Sequence, residues 1–408
     1  MWLAPILSEP EIACAQQWGS RVEQKSAPRP RRRIETRGAH NCIPALDGLR
    51  AISICLVLAA HMLPLGPKSL LLNLTAGAMG MSLFFALSGF LIMRALLSDP
   101  VLEFGVKRLA RILPLAYLYM ALAFVISGEP KESLLAQLAF VLNYHPELIT
   151  PLTAHLWSLC VEVQFYVAAA LVFAALGRQQ GAALAWPCCV AITVLRIRSG
   201  AMLEIPTHLR VDEILVGACI ATAPSALMER IVVGPGIWLL SVGLWFAASL
   251  PESGALQYLR PYSAGLLLAM TLIQSPGLVV DALGSRPLRY IATTSYAIYI
   301  IHPFTMAGWW NDGSVWERYF LKRPISMAAT LAAAHVSTFY WERLWSRAAR
   351  RWIDARRKSS RAAAFVHSRA RFEEPKPAAT ALETAALGAS ATGMHPGGSG
   401  VGDSFPGP

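Results

Sequence analysis

The chain has 408 residues, 55% of them hydrophobic and only 15% charged, with a mean hydropathy of +0.44. A soluble domain carries about 25% charged residues and cannot hide this much apolar surface, so a soluble globular protein is excluded. The formal net charge of +11 is concentrated at residues 29–37 and 343–361, flanking the hydrophobic block, which points to a lipid bilayer as partner and not to nucleic acid.

Residues 1–44 read as a basic, disordered cytoplasmic tail. Its opening stretch has no preceding basic residues and too short an apolar run for a signal peptide. Residues 45–350 read as the membrane domain, in apolar runs of which several reach the roughly 17–25 residues that cross about 30 Å of hydrocarbon. With the N-terminus inside, 49–65 runs outward and 76–94 returns, so the loop bearing Arg94, Lys107, Arg108 and Arg111 lies inside, as its charge demands. Segment 113–127 goes out. Segment 134–144 is too short to cross and is expected to be re-entrant or interfacial, because crossing would strand the basic C-terminal flank outside. The later spans fall at 157–176, 182–194, 211–223, 231–250, 263–273, 291–309 and 325–345. The expectation is an all-α transmembrane bundle of about ten spans in the inner membrane, with both termini cytoplasmic. Residues 351–408 turn from basic to Ala, Gly, Pro, Ser and Thr and read as a disordered tail, with no appended soluble domain. The seven cysteines show no metal-ligand spacing and read as small apolar residues; no metal is expected.

Ionisable groups inside spans are costly and each needs a reason. Leu46-Asp47-Gly48-Leu49-Arg50 is followed, three helical turns later, by His61, which puts Arg50 and His61 on one face roughly 16 Å apart. An imidazole in the outer half of a span can take a proton from a hydroxyl, although the pair alone reads equally as a packing histidine with an interfacial arginine. Ser88 and Gly89 in the second span read as small residues that let helices approach closely. Arg108 and Arg111 share a helical face at the inner surface and present forks suited to phosphate oxygens; alone they read as a positive-inside anchor. Trp157 and Ser158 precede Glu162 at an outer span start, and His302 lies in the outer half of another. His61, Glu162 and His302 are thus expected at one depth, where a carboxylate could orient an imidazole.

With these residues the sequence resembles the integral-membrane acyltransferase type 3 family, which includes O-antigen, exopolysaccharide and Nod-factor O-acyltransferases. The matching pieces run in order: ALDGLRAISICLVLAAH at 45–61, MSLFFALSGFLIMR at 81–94, KRLARILPLAY at 107–117, LWSLCVEVQFYV at 156–167, RVDEILVGACIA at 210–221, TSYAIYIIHPF at 294–304 and YWERLW at 340–345. The resemblance implies a bundle of about ten helices that takes an acetyl or other short acyl group from acyl-coenzyme A. The acceptor it implies is a hydroxyl of a cell-surface or lipid-linked carbohydrate. Arg50 and His61 match the family's arginine–histidine pair, Arg108 and Arg111 its cytoplasmic arginine pair, Glu162 the glutamate after Trp-Ser-Leu, and Ser88 and Gly89 its Ser-Gly-Phe step. A proton-coupled transporter of a glycolipid or small molecule could use the same buried charges. Such transporters are often built from two repeated halves, and this sequence shows no echo of its first half in its second.

Overall fold

The structure is a computed structural model that describes residues 43–231, 234–273, 277–310 and 312–372. The N-terminal tail up to residue 42 and the tail beyond Phe372 lie outside the described residues. Every regular element among those described is helical. The chain divides at Arg351, the helices before it forming one unit.

α1 (Pro44–Met62) opens on a proline, whose missing N–H costs nothing in a first turn, and carries Asp47 near the positive end of its dipole. α2 (Leu72–Ser98) and α3 (Val101–Ser127) follow as a long pair. α4 (Lys131–Leu138) has eight residues and then breaks into short 3-10 turns, so the 134–144 segment forms no span. α5 (Leu156–Ala183) is interrupted at Gly177, where φ is 78°. Then come α6 (Ala185–Ser199), α7 (Asp212–Thr222), α8 (Pro235–Ala247), α9 (Arg260–Ile273), α10 (Leu278–Leu283), α11 (Arg286–Met306) and α12 (Arg323–Val336). A π-helical turn at Ser337–Glu342 leads into α13 (Arg343–Phe372).

Four helical segments are long and apolar enough to cross a membrane on their own: Pro44–Met62, Lys68–Ser98, Val101–Ser127 and Leu156–Ala183. The other expected spans are helical but too short or too polar to meet that measure, so the count of about ten is not reached on this criterion. α6, α7 and α9 have 15, 11 and 14 residues, and each carries charged residues in a terminal turn. Large apolar side chains on α3 (Leu122, Val125), α5 (Leu171) and α8 (Leu239, Leu240) remain exposed, a surface suited to lipid and not to water. The basic tail expected from residue 351 begins as helix, since α13 continues past Arg361 to Phe372. Its part beyond Arg351 is a separate unit in which Arg356 lies 5.6 Å over the ring of Trp352.

α2 is the centre of the bundle: 78% of its most apolar stretch is buried, against 33% for α3. It packs most extensively on α7 and α1. A Cβ on Gly89 would sit 1.8 Å from the Ile214 carbonyl oxygen, and one on Gly217 would sit 1.8 Å from that of Ala86. The two backbones touch at this crossing because neither glycine has a side chain. The close-approach reading of Gly89 therefore holds.

Candidate active site

α1 connects two polar clusters. At its start, Arg50 lies 3.7 Å from Asp47 and within electrostatic reach of Arg111, Arg108 and Glu162. Arg108 and Arg111 are neighbours on α3, one turn apart. The Arg108 guanidinium donates to the Leu91 carbonyl at 3.4 Å and lies 5.9 Å over the Phe104 ring. Two further guanidinium groups and the buried Glu162 carboxylate thus lie within electrostatic reach of Arg50, and Arg111 is in turn within reach of the buried Glu342 on the π-helical turn. The Glu162 carboxylate is already engaged: Ser88 donates to its Oε1 at 2.9 Å and Tyr166 at 2.6 Å. The cluster keeps an excess of planar donors, which is chemistry suited to phosphate or another polyanion.

At the other end of α1, His61 is exposed and meets His302 of α11, with 3.0 Å between His61 Nδ1 and His302 Nε2. Their ring planes differ by 12° and their centroids are 5.0 Å apart. The two rings are therefore nearly parallel where their nitrogens meet. His302 is buried, with its Nδ1 at 2.7 Å from the Tyr299 carbonyl oxygen. Asn73 secures this end of α1, its side-chain amide donating to the carbonyls of Ala60 and Leu63 at 2.7 Å each. Those carbonyls have no intrahelical partner at a helix C-terminus, so one side chain fixes the turn that carries His61.

Between the clusters α1, α2 and α11 enclose a narrow cavity of about 10 Å³, close to the space one water needs. Ser53, Ile54, Val57, Phe84, Ser295 and Tyr299 are among its lining residues.

The residues expected from sequence are therefore distributed over both ends. His61 and His302 come together. Glu162 does not join them, because its position on α5 brings it to Ser88, Tyr166 and the arginines, some two turns beyond the helix start at Leu156. Ser158 Oγ lies 2.5 Å from the Tyr299 hydroxyl, and Trp157 packs edge-on against Phe85 with the Arg210 guanidinium 5.2 Å over its ring.

Three features were not anticipated. His155 is buried, its ring edge-on to Tyr119, Tyr299 and His302, with both ring nitrogens lacking a hydrogen-bond partner, and its carbonyl accepts from the Tyr299 hydroxyl. Its position directly before Leu156-Trp157-Ser158 was the available signal. Tyr166 lies one turn after Glu162, a spacing that permits the contact observed. Arg196, Arg210, Asp212, Glu213 and Arg260 form a fully buried charged network in which Arg196 pairs with Asp212, and Arg260 Nε donates to Glu213 at 3.1 Å. Arg196 and Arg260 also both donate to the Met202 carbonyl. Among the described residues no group of three His, Cys, Asp or Glu side chains is placed to hold a metal ion.

Comparison with known proteins gives a consistent picture. The chain is 31% identical over 169 residues to "O-acetyltransferase OatA" of Staphylococcus aureus (strain NCTC 8325 / PS 47), covering 35% of this chain and 26% of the relative. It is 24% identical over 319 residues to "Peptidoglycan O-acetyltransferase OatA" of Listeria monocytogenes, covering 65% of this chain and 50% of the relative. The chain thus spans between a quarter and half of the length of these relatives. No solved structure matches it. Residues 43–339, which include Arg50, His61, Arg108, Arg111, Glu162, His302 and the cavity, match the family described as "Acyltransferase domain". With that match over most of its length, the chain belongs to the acyltransferase type 3 family of multi-pass membrane proteins.

Proposed function

We propose that the chain moves an acetyl or other short acyl group from acyl-coenzyme A, bound from the cytoplasm, to a hydroxyl of a cell-surface or lipid-linked carbohydrate. Arg50, Arg108 and Arg111 would hold the donor's phosphates, and α1, α2 and α11 would part along the small cavity to admit its thioester arm. His61 Nε2 then takes the proton of the acceptor hydroxyl as its oxygen attacks the thioester carbonyl carbon. The C–S bond breaks, and the proton passes from His61 to the departing thiolate. The relatives' printed names support acetyl as the group and, for the Listeria protein, peptidoglycan as its acceptor.

One observation carries this reading: a single helix has a cluster of guanidinium groups at one end, a hydrogen-bonded imidazole at the other and a cavity between. Labelled acetyl-coenzyme A supplied to purified protein in vesicles with a carbohydrate acceptor tests it. Wild type should transfer label, and His61→Ala should lose about 10²–10⁴-fold in rate. His61→Gln can still hydrogen-bond but cannot take a proton at neutral pH, so it should be as inactive as Ala. Near-normal transfer by a folded Gln variant would remove His61 from the chemistry.

A further inference from the structure

We propose that His302 is a positioning residue that locks His61 in the tautomer whose bare nitrogen is Nε2, and that Pro303 makes the lock possible. The proposal rests on His61 being the base.

In an α-helix the carbonyl of residue 299 is bonded by the N–H of residue 303. Residue 303 is a proline inside α11 and has no N–H, so the Tyr299 carbonyl is released from the helical ladder. His302 takes it, with Nδ1 2.7 Å away. A carbonyl oxygen only accepts, so His302 Nδ1 carries the hydrogen. A neutral His302 then has a lone pair at Nε2, which among the described residues meets His61 Nδ1 at 3.0 Å. His61 Nδ1 must donate, and its own Nε2 is left bare at the exposed end of α1. The two rings are nearly parallel, differing by 12°, which keeps the paired nitrogens facing each other. Packing restrains the His302 ring: His155 lies edge-on with centroids 5.4 Å apart, and the Tyr299 hydroxyl is tied to Ser158 and to the His155 carbonyl. When His61 accepts the hydroxyl proton at Nε2, its Nδ1–H stays bonded to His302, so the imidazolium keeps an acceptor without any proton leaving the pair. This is the service a carboxylate performs in other catalytic sites, and here Glu162 is engaged elsewhere.

The test uses the full chain in vesicles, selectively labelled with nitrogen-15 histidine, with His61 identified by the signals lost in His61→Gln. Wild type should show His61 protonated at Nδ1 and bare at Nε2, and His302→Ala should lose that preference. Transfer from acetyl-coenzyme A by His302→Ala should fall about 10–100-fold in kcat with an unchanged donor KM. In His302→Gln, Oε1 can accept from His61 Nδ1 while the side chain cannot titrate, so this variant should recover the larger part of the lost rate. Pro303→Ala restores an N–H aimed at the Tyr299 carbonyl and should give an intermediate tautomer preference; it carries the test should His302→Ala fail to fold. An unchanged His61 tautomer in His302→Ala, or an unchanged kcat, overturns the proposal. A folded His302→Gln as inactive as Ala also overturns it, since His302 would then be taking a proton itself. Active His61→Gln would sink the base reading, whereas the nitrogen signals would still report separately on the lock.

Discussion

Arg50, Arg108 and Arg111 repel one another, and their carboxylates, Asp47 and Glu162, are engaged with a 3.7 Å partner or with hydroxyl donors. Such an arrangement gains most when an anion enters. Arg108 is the side chain to remove, because its polar contacts among the described residues are weak: a long 3.4 Å bond to the Leu91 carbonyl and a position 5.9 Å over the Phe104 ring. Losing one charge-assisted contact costs about 1.5–3 kcal/mol, so Arg108→Ala should raise the donor KM roughly ten-fold or more. The same variant should insert normally, and its kcat at saturating donor should be preserved. A donor KM equal to wild type would return Arg108 to the role of membrane anchor. At this scale the sequence was informative about residue type and poor about partners. His61 and His302 lie 241 positions apart, and nothing in either motif indicates that their nitrogens meet. Glu162 was expected beside them because its depth was counted from an assumed span start, and depth does not determine which way a side chain faces.

The closeness of the α2–α7 crossing at the centre of the bundle rests on two glycines. A side chain at Gly89 would meet the Ile214 carbonyl oxygen at 1.8 Å, and backbone cannot give way as a flexible side chain can. Gly89→Val should therefore push α7 off α2, with lower yield and a lower melting temperature in detergent. Gly105 on α3 is the control, since a Cβ there meets nothing within 4 Å. Gly105→Ala should leave stability unchanged or raise it slightly through helix propensity. Equal melting temperatures for Gly89→Val and wild type would mean that the crossing is looser than described. The loop between α4 and α5 is a positioning element. Glu129, buried just before α4, accepts from Thr150 of this loop at 2.5 Å and from Gln137 of α4 at 2.7 Å, while the Tyr119 hydroxyl of α3 donates to the Leu152 carbonyl of the loop at 2.6 Å. These bonds set where α5 begins, and so where His155 and Ser158 stand.

Apolar runs were sufficient to find the helices of the bundle, because a bilayer forces the backbone to satisfy itself locally. They ended one span at residue 176, beside the break at Gly177 where φ is 78°, but could not show that helix resumes directly after it as far as Ala183. Nor could they reveal the charged network around Arg196, Asp212, Glu213 and Arg260, whose members belong to separate segments and pair only once packed. Orientation, the remaining property of the whole molecule, has support from both sources. The sequence places basic residues on both flanks of the hydrophobic block, at 29–37 and 343–361. In the fold, Glu342, immediately before α13, lies within electrostatic reach of Arg111, and Tyr296 donates to the Ile112 carbonyl at 2.6 Å. α13 thus starts at the end of the bundle where α1 also starts and where Arg50 and Arg108 gather. A shared end requires an even number of crossings, whether the short helices are counted or not. Positive flanks favour the cytoplasm, so both termini should lie there. A reporter active only in the cytoplasm should work when fused to the C-terminus, and a periplasm-only reporter should be silent there. The same periplasm-only reporter inserted at 66–69, between α1 and α2 at the His61 end, should be active. A periplasm-only signal from the C-terminus would make the crossing number odd, and activity of the cytoplasmic reporter at 66–69 would invert the protein and place His61 on the donor side.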